Sequence, residues 1–238
     1  MTERTAADLF DEHAANYAAT LKAATRSSGE SIEFFALQKA CQMRDALGPS
    51  AKPASILDFG CGVGLSTQAI ASTFPGCGRV VGCDPSSESI AHAAVERGSD
   101  VVQFVAFDES GRLPFDDGSF SVISAACVFH HIDRGAHGRW LEELRRVLRP
   151  GGQLFIFEHN PANPLTRKSV RDCPFDEGVI LLAPWYARRI IERSGFQRAR
   201  VRFYFFFPRV LAALRFSERF LGWCPIGAQY FVRAEKAR

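Results

Sequence analysis

The stretch Ile56-Leu-Asp-Phe-Gly-Cys-Gly-Val-Gly-Leu-Ser66 constrains this chain most: an apolar run enters three glycines at alternate positions, then opens into residues of helical character. Glycine tolerates positive φ and has no Cβ, so such a turn lets backbone come close to a ligand at the carboxyl end of a strand. From Ala54 onward, short apolar runs alternate with stretches of about 20 to 30 residues of helix or turn character, the signature of βαβ units. The reading is an α/β fold: a doubly wound, mostly parallel seven-stranded sheet with helices on both faces.

Strands are expected at Ser55 to Phe59, Arg79 to Cys83, Val101 to Ala106, Phe120 to Ala126, Gln153 to Glu158, Val201 to Phe207 and Gln229 to Arg233. Helices are expected at Gly64 to Thr73, Ser87 to Arg97, His137 to Leu148 and Trp185 to Ser194, with an amphipathic helix over Arg209 to Leu221. Pro150-Gly151-Gly152 reads as a turn, and Asn160 to Pro164 as a loop. Residues near Phe10 to Leu47 carry apolar groups at helical spacing, which predicts two helices and an N-terminal cap. The expected division is a cap over 1–50, an α/β core over 51–160 and a substrate-side segment of the same domain over 161–238.

Composition places the chain among ordinary globular proteins, with 47% hydrophobic and 23% charged residues. The opening MTERTAADLFDEH lacks the basic stretch and apolar run of a secretory signal, and no apolar run approaches a membrane span, so the expected location is the cytoplasm. Seven cysteines with no Cys-x-x-Cys pair and no zinc-like histidine spacing predict free thiols and no metal. Charge is uneven: 14 basic and 20 acidic residues up to Asn160 give −6, whereas 15 basic and 6 acidic residues from Pro161 give +9. That basic part suits a membrane surface, an acidic carrier protein or an anionic substrate, and equally a solvated arginine-rich face.

Asp58 distinguishes the glycine turn from a phosphate cradle. A carboxylate beside the ligand suits a cationic amine or sulfonium, whereas a pyrophosphate prefers bare backbone donors. Asp84, twenty residues beyond Gly64 at the end of the second strand, is placed to accept hydrogen bonds from ribose hydroxyls. Asp108 follows the third strand.

Together these pieces resemble the class I S-adenosylmethionine (SAM)-dependent methyltransferases, in particular the small-molecule group called type 11. The resemblance runs from about Phe10 to Gly152. It includes Phe10-Asp-x-x-Ala-x-x-Tyr17, the glycine turn, the segment from Asp108 to Leu113-Pro-Phe115, and Phe120 to Ile132 with its paired histidines. Leu144-Arg-Arg-Val-Leu-Arg-Pro-Gly-Gly152 completes it. The resemblance implies SAM as cofactor: the glycine turn and Asp58 at its amino acid end, Asp84 on the ribose, Asp108 on the adenine and Tyr17 closing over it. It likewise assigns Gly60, Cys61, Gly62, Gly64, Pro85, Glu109 and Ala126 to the cofactor site. Ser121 departs from the family, which has aspartate there, and the segment between Asp108 and Leu113 is one or two residues longer than the family's.

Methyl transfer is an in-line displacement, so the protein must chiefly align reactants and exclude water; a base is optional. The candidates for proton removal are His130 and His131 after strand four, and Glu158 and His159 at the end of strand five. The bland readings are helix capping for the histidine pair and loop anchoring for Glu158. The aromatic region Phe203 to Phe207, with Phe216, Phe220 and Trp223, is dense enough to line a pocket for a flat or hydrocarbon acceptor, although core packing would look the same. Glu158 to Thr166 and Asp172 to Glu177 suggest an ordered loop over that pocket. The expected partner is a small-molecule acceptor; nucleic acid is disfavoured, because no Asn-Pro-Pro-Tyr type motif is present. Rival readings are a nicotinamide-dependent oxidoreductase and a non-catalytic SAM-binding module.

Overall fold

The computed structural model describes residues 28–48, 50–108, 111–176 and 178–238. Tyr17, Glu109 and the part of the expected cap before residue 28 lie outside them. Seven strands form one sheet: β1 (Ser55–Phe59), β2 (Arg79–Asp84), β3 (Val102–Ala106), β4 (Phe120–Ala126), β5 (Leu148–His159), β6 (Phe196–Tyr204) and β7 (Gln229–Lys236). Their order is β3-β2-β1-β4-β5-β7-β6. Pairings are parallel from β3 to β5, while β7 runs antiparallel between β5 and β6.

The strands alternate their side chains between two cores, as a sheet covered on both faces requires. On one face Leu57, Phe59, Ile123, Leu154 and Val232 meet Trp140, Leu141 and Leu144 of α4 (His137–Val147) and Ile191 of α6 (Pro184–Arg193). On the other, Ile56, Val80, Val122, Phe155 and Phe231 meet Ala40 and Met43 of α1 (Ile32–Leu47) and Ile70 of α2 (Leu65–Thr73). Helix α3 (Ser87–Arg97) starts directly after β2, capped by the Ser86 hydroxyl, which accepts the Ser89 N–H at 3.0 Å. Of the expected cap, α1 is the described part.

Local chemistry accounts for the departures from expectation. The Pro150-Gly151-Gly152 turn is a bulge within one long strand: β4 advances from Phe120 to Val122 while β5 advances from Leu148 to Gln153. Strand β6 begins at Phe196 and ends at Tyr204, not at Val201 and Phe207. Its polar start, Gln197 to Arg200, hid it from the apolar pattern; arginines facing solvent suit an edge strand. It stops because the Glu218 carboxylate accepts the N–H groups of Phe205, Phe206 and Phe207 at 3.0–3.1 Å, diverting them from any ladder.

Arg209–Phe220 is a 3₁₀ helix kinked at Leu211 rather than an α-helix, and none of its residues is buried. Pro164–Arg171 is a further helix, α5, where the sequence suggested a loop. Asn163 caps it, and the repeated Asn-Pro serves docking: Asn160 Nδ2 donates to the Pro225 and Gly227 carbonyls and Thr166 Oγ1 to that of Ala228. All seven cysteines are free, as expected. No helix among the described residues is long and apolar enough to cross a membrane.

Trp140 lies 5.4 Å, ring to ring, from both Phe59 and Phe107 and is 5% exposed. Replacing it with alanine should cost about 3–5 kcal/mol of stability, read as a lowered midpoint in urea unfolding.

Candidate functional site

A parallel sheet presents its loops at the carboxyl ends of the strands, and the sequence-predicted residues gather there. The turn after β1 is tied to β2 through backbone: the N–H groups of Gly60 and Cys61 both donate to the Cys83 carbonyl, at 2.8 and 3.1 Å. Asp84 reinforces this link. Its Oδ2 accepts the Gly62 N–H at 2.8 Å and its Oδ1 the Ser86 N–H at 3.0 Å, so one carboxylate joins the glycine turn to the start of α3. A carboxylate has about four lone-pair sites, and these two backbone donors engage one on each oxygen. Pro85 is half-buried between Asp84 and the Ser86 cap.

The three glycines share positive φ but differ in what surrounds them. A Cβ on Gly60 would stand 2.4 Å from Val128 Cγ2, and one on Gly64 2.7 Å from the Phe104 ring, so these two permit packing between elements. Gly62 alone opens onto space, with nothing within 4 Å of an added Cβ. The sequence placed all three in the ligand cradle; of the three, Gly62 is the one that borders open space. Cys61 beside it is buried.

Asp58 is 1% exposed. Its Oδ2 accepts a hydrogen bond from Thr67 Oγ1 at 2.8 Å, while its buried Oδ1 has no partner among the described residues. Burial pushes the carboxyl up to about 7; the Thr67 hydrogen bond opposes this, Asp84 adds to it and Lys39 opposes it. Asp108 is exposed beyond β3, and Ala126 is half-buried at the end of β4. Ser121, the departure from the family, lies away from this edge: its hydroxyl donates to the Ser55 carbonyl at 2.6 Å and accepts the Ser55 N–H, clamping β1 to β4 where β1 begins.

A second group occupies the carboxyl ends of β4 and β5. Fully buried Glu158 accepts the Phe129 N–H at 3.0 Å through Oε1, and its Oε2 lies 2.6 Å from His130 Nδ1. His130 and His131 belong to the 3₁₀ turn Phe129–His131. Burial opposes charge on His130, but Glu158 and Asp176 outweigh it and hold the ring well above the usual imidazole range. Burial and the neighbouring His130 charge press His131 down to about 4. His159 is half-buried, its ring 5.5 Å from that of His130, and hydrogen-bonded to Cys127. Cys127 holds φ at 61°, a strained value for a residue with a Cβ. Burial raises its thiol, yet the charges of His159 and Lys39 leave it below the usual range.

Two members of this group escaped the sequence reading. His137, in the first turn of α4, places Nε2 at 2.8 Å from the Phe129 carbonyl and 3.0 Å from that of Ile132, pinning the histidine turn. Asp176 is delivered by the 3₁₀ turn Pro174–Asp176, with Oδ1 3.4 Å from Nε2 of both His130 and His131. Neither carried a signal, because their spacing from the other members is irregular.

Comparison with known proteins now bears on the site. Residues 56–152 match a protein family described as a methyltransferase domain. That match makes residues 56–152 a methyltransferase domain. The nicotinamide reading is thereby set aside. The chain is 37% identical over 116 residues to a demethylmenaquinone methyltransferase of Clavibacter sepedonicus, a span of 48% of this chain and 44% of that protein. It is 31% identical over 121 residues to the ubiquinone/menaquinone biosynthesis C-methyltransferase UbiE of Hahella chejuensis, 49% of this chain and 47% of that protein. The match thus spans less than half the length of these relatives. A SAM-dependent methyltransferase structure from Thermotoga maritima superposes with a TM-score of 0.66 over 96% of this chain and 98% of its own, at 16% identity, showing the same fold.

The residues present fit SAM, a cation at its sulfonium and amino groups. The methyltransferase domain offers an unpartnered buried carboxylate oxygen on Asp58 and open space over Gly62. Gly62→Ala should keep the protein folded with a modest loss, on the order of 1 kcal/mol for the left-handed backbone, and weaken SAM binding at least tenfold. Gly60→Ala should instead lower the melting temperature sharply through its clash with Val128. Thermal melting and SAM titration of both variants check this contrast.

Proposed function

We propose that this protein moves the methyl group of SAM to a small acceptor with an aromatic or hydrocarbon body. The carrying observation is the pair Asp58 and Asp84 on either side of the glycine turn: one buried carboxylate with an unpartnered oxygen for a cation, the other braced on backbone at the position for a ribose. In this reading Gly60, Cys61, Gly62, Gly64 and Pro85 shape the cradle, and Asp108 and Ala126 border the adenine side; Tyr17 and Glu109 are assigned by resemblance alone. Bound SAM supplies an electrophilic methyl group on a sulfonium. The protein's part is to hold that methyl in line with the acceptor and keep water away.

Residues 161–238 form the acceptor side in this proposal. Two observations support an apolar acceptor. Phe216, Phe220 and Trp223 are 64–77% exposed, neither core nor closed pocket among the described residues. Exposed Arg209 and Arg219 lie among them, so the same surface suits a lipid-like acceptor or the headgroups of a membrane. The names of the relatives above, a demethylmenaquinone methyltransferase and a ubiquinone/menaquinone biosynthesis C-methyltransferase, point the same way. Glu158 and His130, locked to each other with fully buried side chains, position the turn after β4; His159, half-buried beside them, is the imidazole this reading assigns to an acceptor proton. Free thiols throughout accord with a reducing compartment, and we place the protein in the cytoplasm.

Calorimetric titration with SAM and with its demethylated product tests the reading. Wild type should bind both, and Asp84→Ala should weaken binding at least tenfold while retaining the far-ultraviolet spectrum of a folded α/β protein. Absence of binding to folded wild type would overturn it.

Asp58 adds a pH dependence. An acid raised to about 7 is largely protonated below that value and cannot neutralise a cation, so affinity for SAM should fall by up to about tenfold per pH unit from pH 7 to 5.5. That window lies below the titration of a ligand α-amino group at about 7.7–8.0. The charged and ionisable groups facing Asp58 are Asp84, Lys39, Cys61 and Cys83. Both thiols are held well above the usual range by burial and stay neutral in the window. Asp58→Asn should bind weakly with a flat pH profile, measured by the same titration.

A further inference from the structure

We propose that His130, His131 and Asp176 form a binding site for one first-row divalent cation of the zinc kind, beside the cofactor cradle. One ligand atom from each lies within 4.8 Å of the others. Two imidazole nitrogens, Nε2 of His130 and Nε2 of His131, each stand 3.4 Å from a single oxygen, Oδ1 of Asp176. That separation exceeds the usual 2.7–3.2 Å of an N–H···O hydrogen bond. It matches the edge of a coordination tetrahedron: ligands about 2.0–2.2 Å from zinc and about 109° apart are separated by roughly 3.4 Å.

His130 supplies the independent observation. Its side chain is wholly buried, and its Nε2 has no hydrogen-bond partner among the described residues although it points at the carboxylate. Its other nitrogen lies 2.6 Å from Glu158 Oε2. A carboxylate on Nδ1 fixes the tautomer and turns the Nε2 lone pair outward, the arrangement that orients histidine on a metal. Here Nε2 stands 3.4 Å from Asp176 Oδ1 with no hydrogen bond between them, and a cation binding there would displace the Nε2 proton and sit between the two ligand atoms. The supporting scaffold is rigid: Glu158 also holds the Phe129 N–H, and His137 pins the Phe129 and Ile132 carbonyls from α4. Asp176 arrives on a turn stabilised by its own N–H donating to the Cys173 carbonyl at 3.1 Å, and the following segment is tied down by the Tyr230 hydroxyl donating to the Leu182 carbonyl at 2.8 Å.

Three protein ligands leave a fourth tetrahedral position open, as in metal sites that bind a substrate oxygen rather than purely structural ones. The cation would also tie the loop bearing Asp176 to the turn after β4. Residues 173–176 contribute a ligand to a pair that β4 delivers, so the loop is held over the carboxyl edge by coordination. Holding an acceptor oxygen in the open position is a consequence that rests on the methyl-transfer reading; binding of the cation does not.

The test uses the full chain, stripped with EDTA and exchanged into metal-free buffer. Zinc is titrated by calorimetry with bound metal counted by elemental analysis, and cobalt(II) is titrated in parallel by visible absorption. Wild type should take up one equivalent of zinc, and cobalt should give the visible bands of a low-coordinate histidine and carboxylate site. His131→Ala and Asp176→Ala, both at partly exposed side chains and checked for folding by circular dichroism, should each weaken zinc at least tenfold and abolish the cobalt bands. Glu158→Gln should weaken zinc by about 10- to 100-fold through loss of histidine orientation. His92→Ala, on the exposed face of α3, should change nothing. Failure of folded wild type to take up stoichiometric zinc would overturn the proposal, as would uptake undiminished in both ligand variants, which would place the metal on the free cysteines. SAM titration of the same stripped protein is read separately, so loss of one result leaves the other standing.

Discussion

A parallel sheet buried on both faces leaves polar chemistry only one place to collect, the loops at the carboxyl ends of its strands. Here that constraint is satisfied tightly. Leu57 and Phe59 fill one core and Ile56 the other, so Asp58 is the single charged residue that β1 carries into the interior. The backbone bonds from Gly60 and Cys61 to Cys83, and the Asp84 carboxylate between Gly62 and Ser86, then fix how far apart two acidic groups stand.

Asp58 shows how the fold stores binding capacity. A carboxyl taken out of water with only Thr67 as a partner is costly, and its raised pKa measures that cost as reluctance to ionise. A cation brought to the open oxygen reverses the balance. The same logic governs the opposite group of residues, where Glu158, His130, His131 and Asp176 place two carboxylates around two imidazoles in a space almost closed to solvent. Each side of the edge thus presents buried acidic groups without full compensation, one where we propose a cationic cofactor and the other where we propose a metal ion.

The second half of the chain serves this edge as well. Strand β7 inserts antiparallel between β5 and β6, and its loop with α5 is stitched by Asn160, Asn163 and Thr166 to the carbonyls of residues 225–228. That docking is what the repeated Asn-Pro achieves, and it carries the chain toward the turn bearing Asp176. Beyond β6, Glu218 gathers three successive N–H groups and leaves the aromatic 3₁₀ segment on the surface.

From the sequence alone came the sheet, the glycine turn and the acidic positions Asp58 and Asp84, because periodic burial and positive-φ turns write short-range patterns that survive without coordinates. His130, His131, Glu158 and His159 were also legible as a strand-end group, since βαβ order puts β4 and β5 side by side. Tertiary structure decided which glycine faces open space, since Gly60 and Gly64 differ from Gly62 only through Val128 and Phe104, residues 68 and 40 positions away in sequence. It also decided where the last strands and helix end, which depends on Glu218 and on an arginine-bearing edge rather than on hydropathy. Asp176 joined the histidine pair for the same reason: a long-range contact made by a docked loop has no period along the chain, and only folding brings its members within reach.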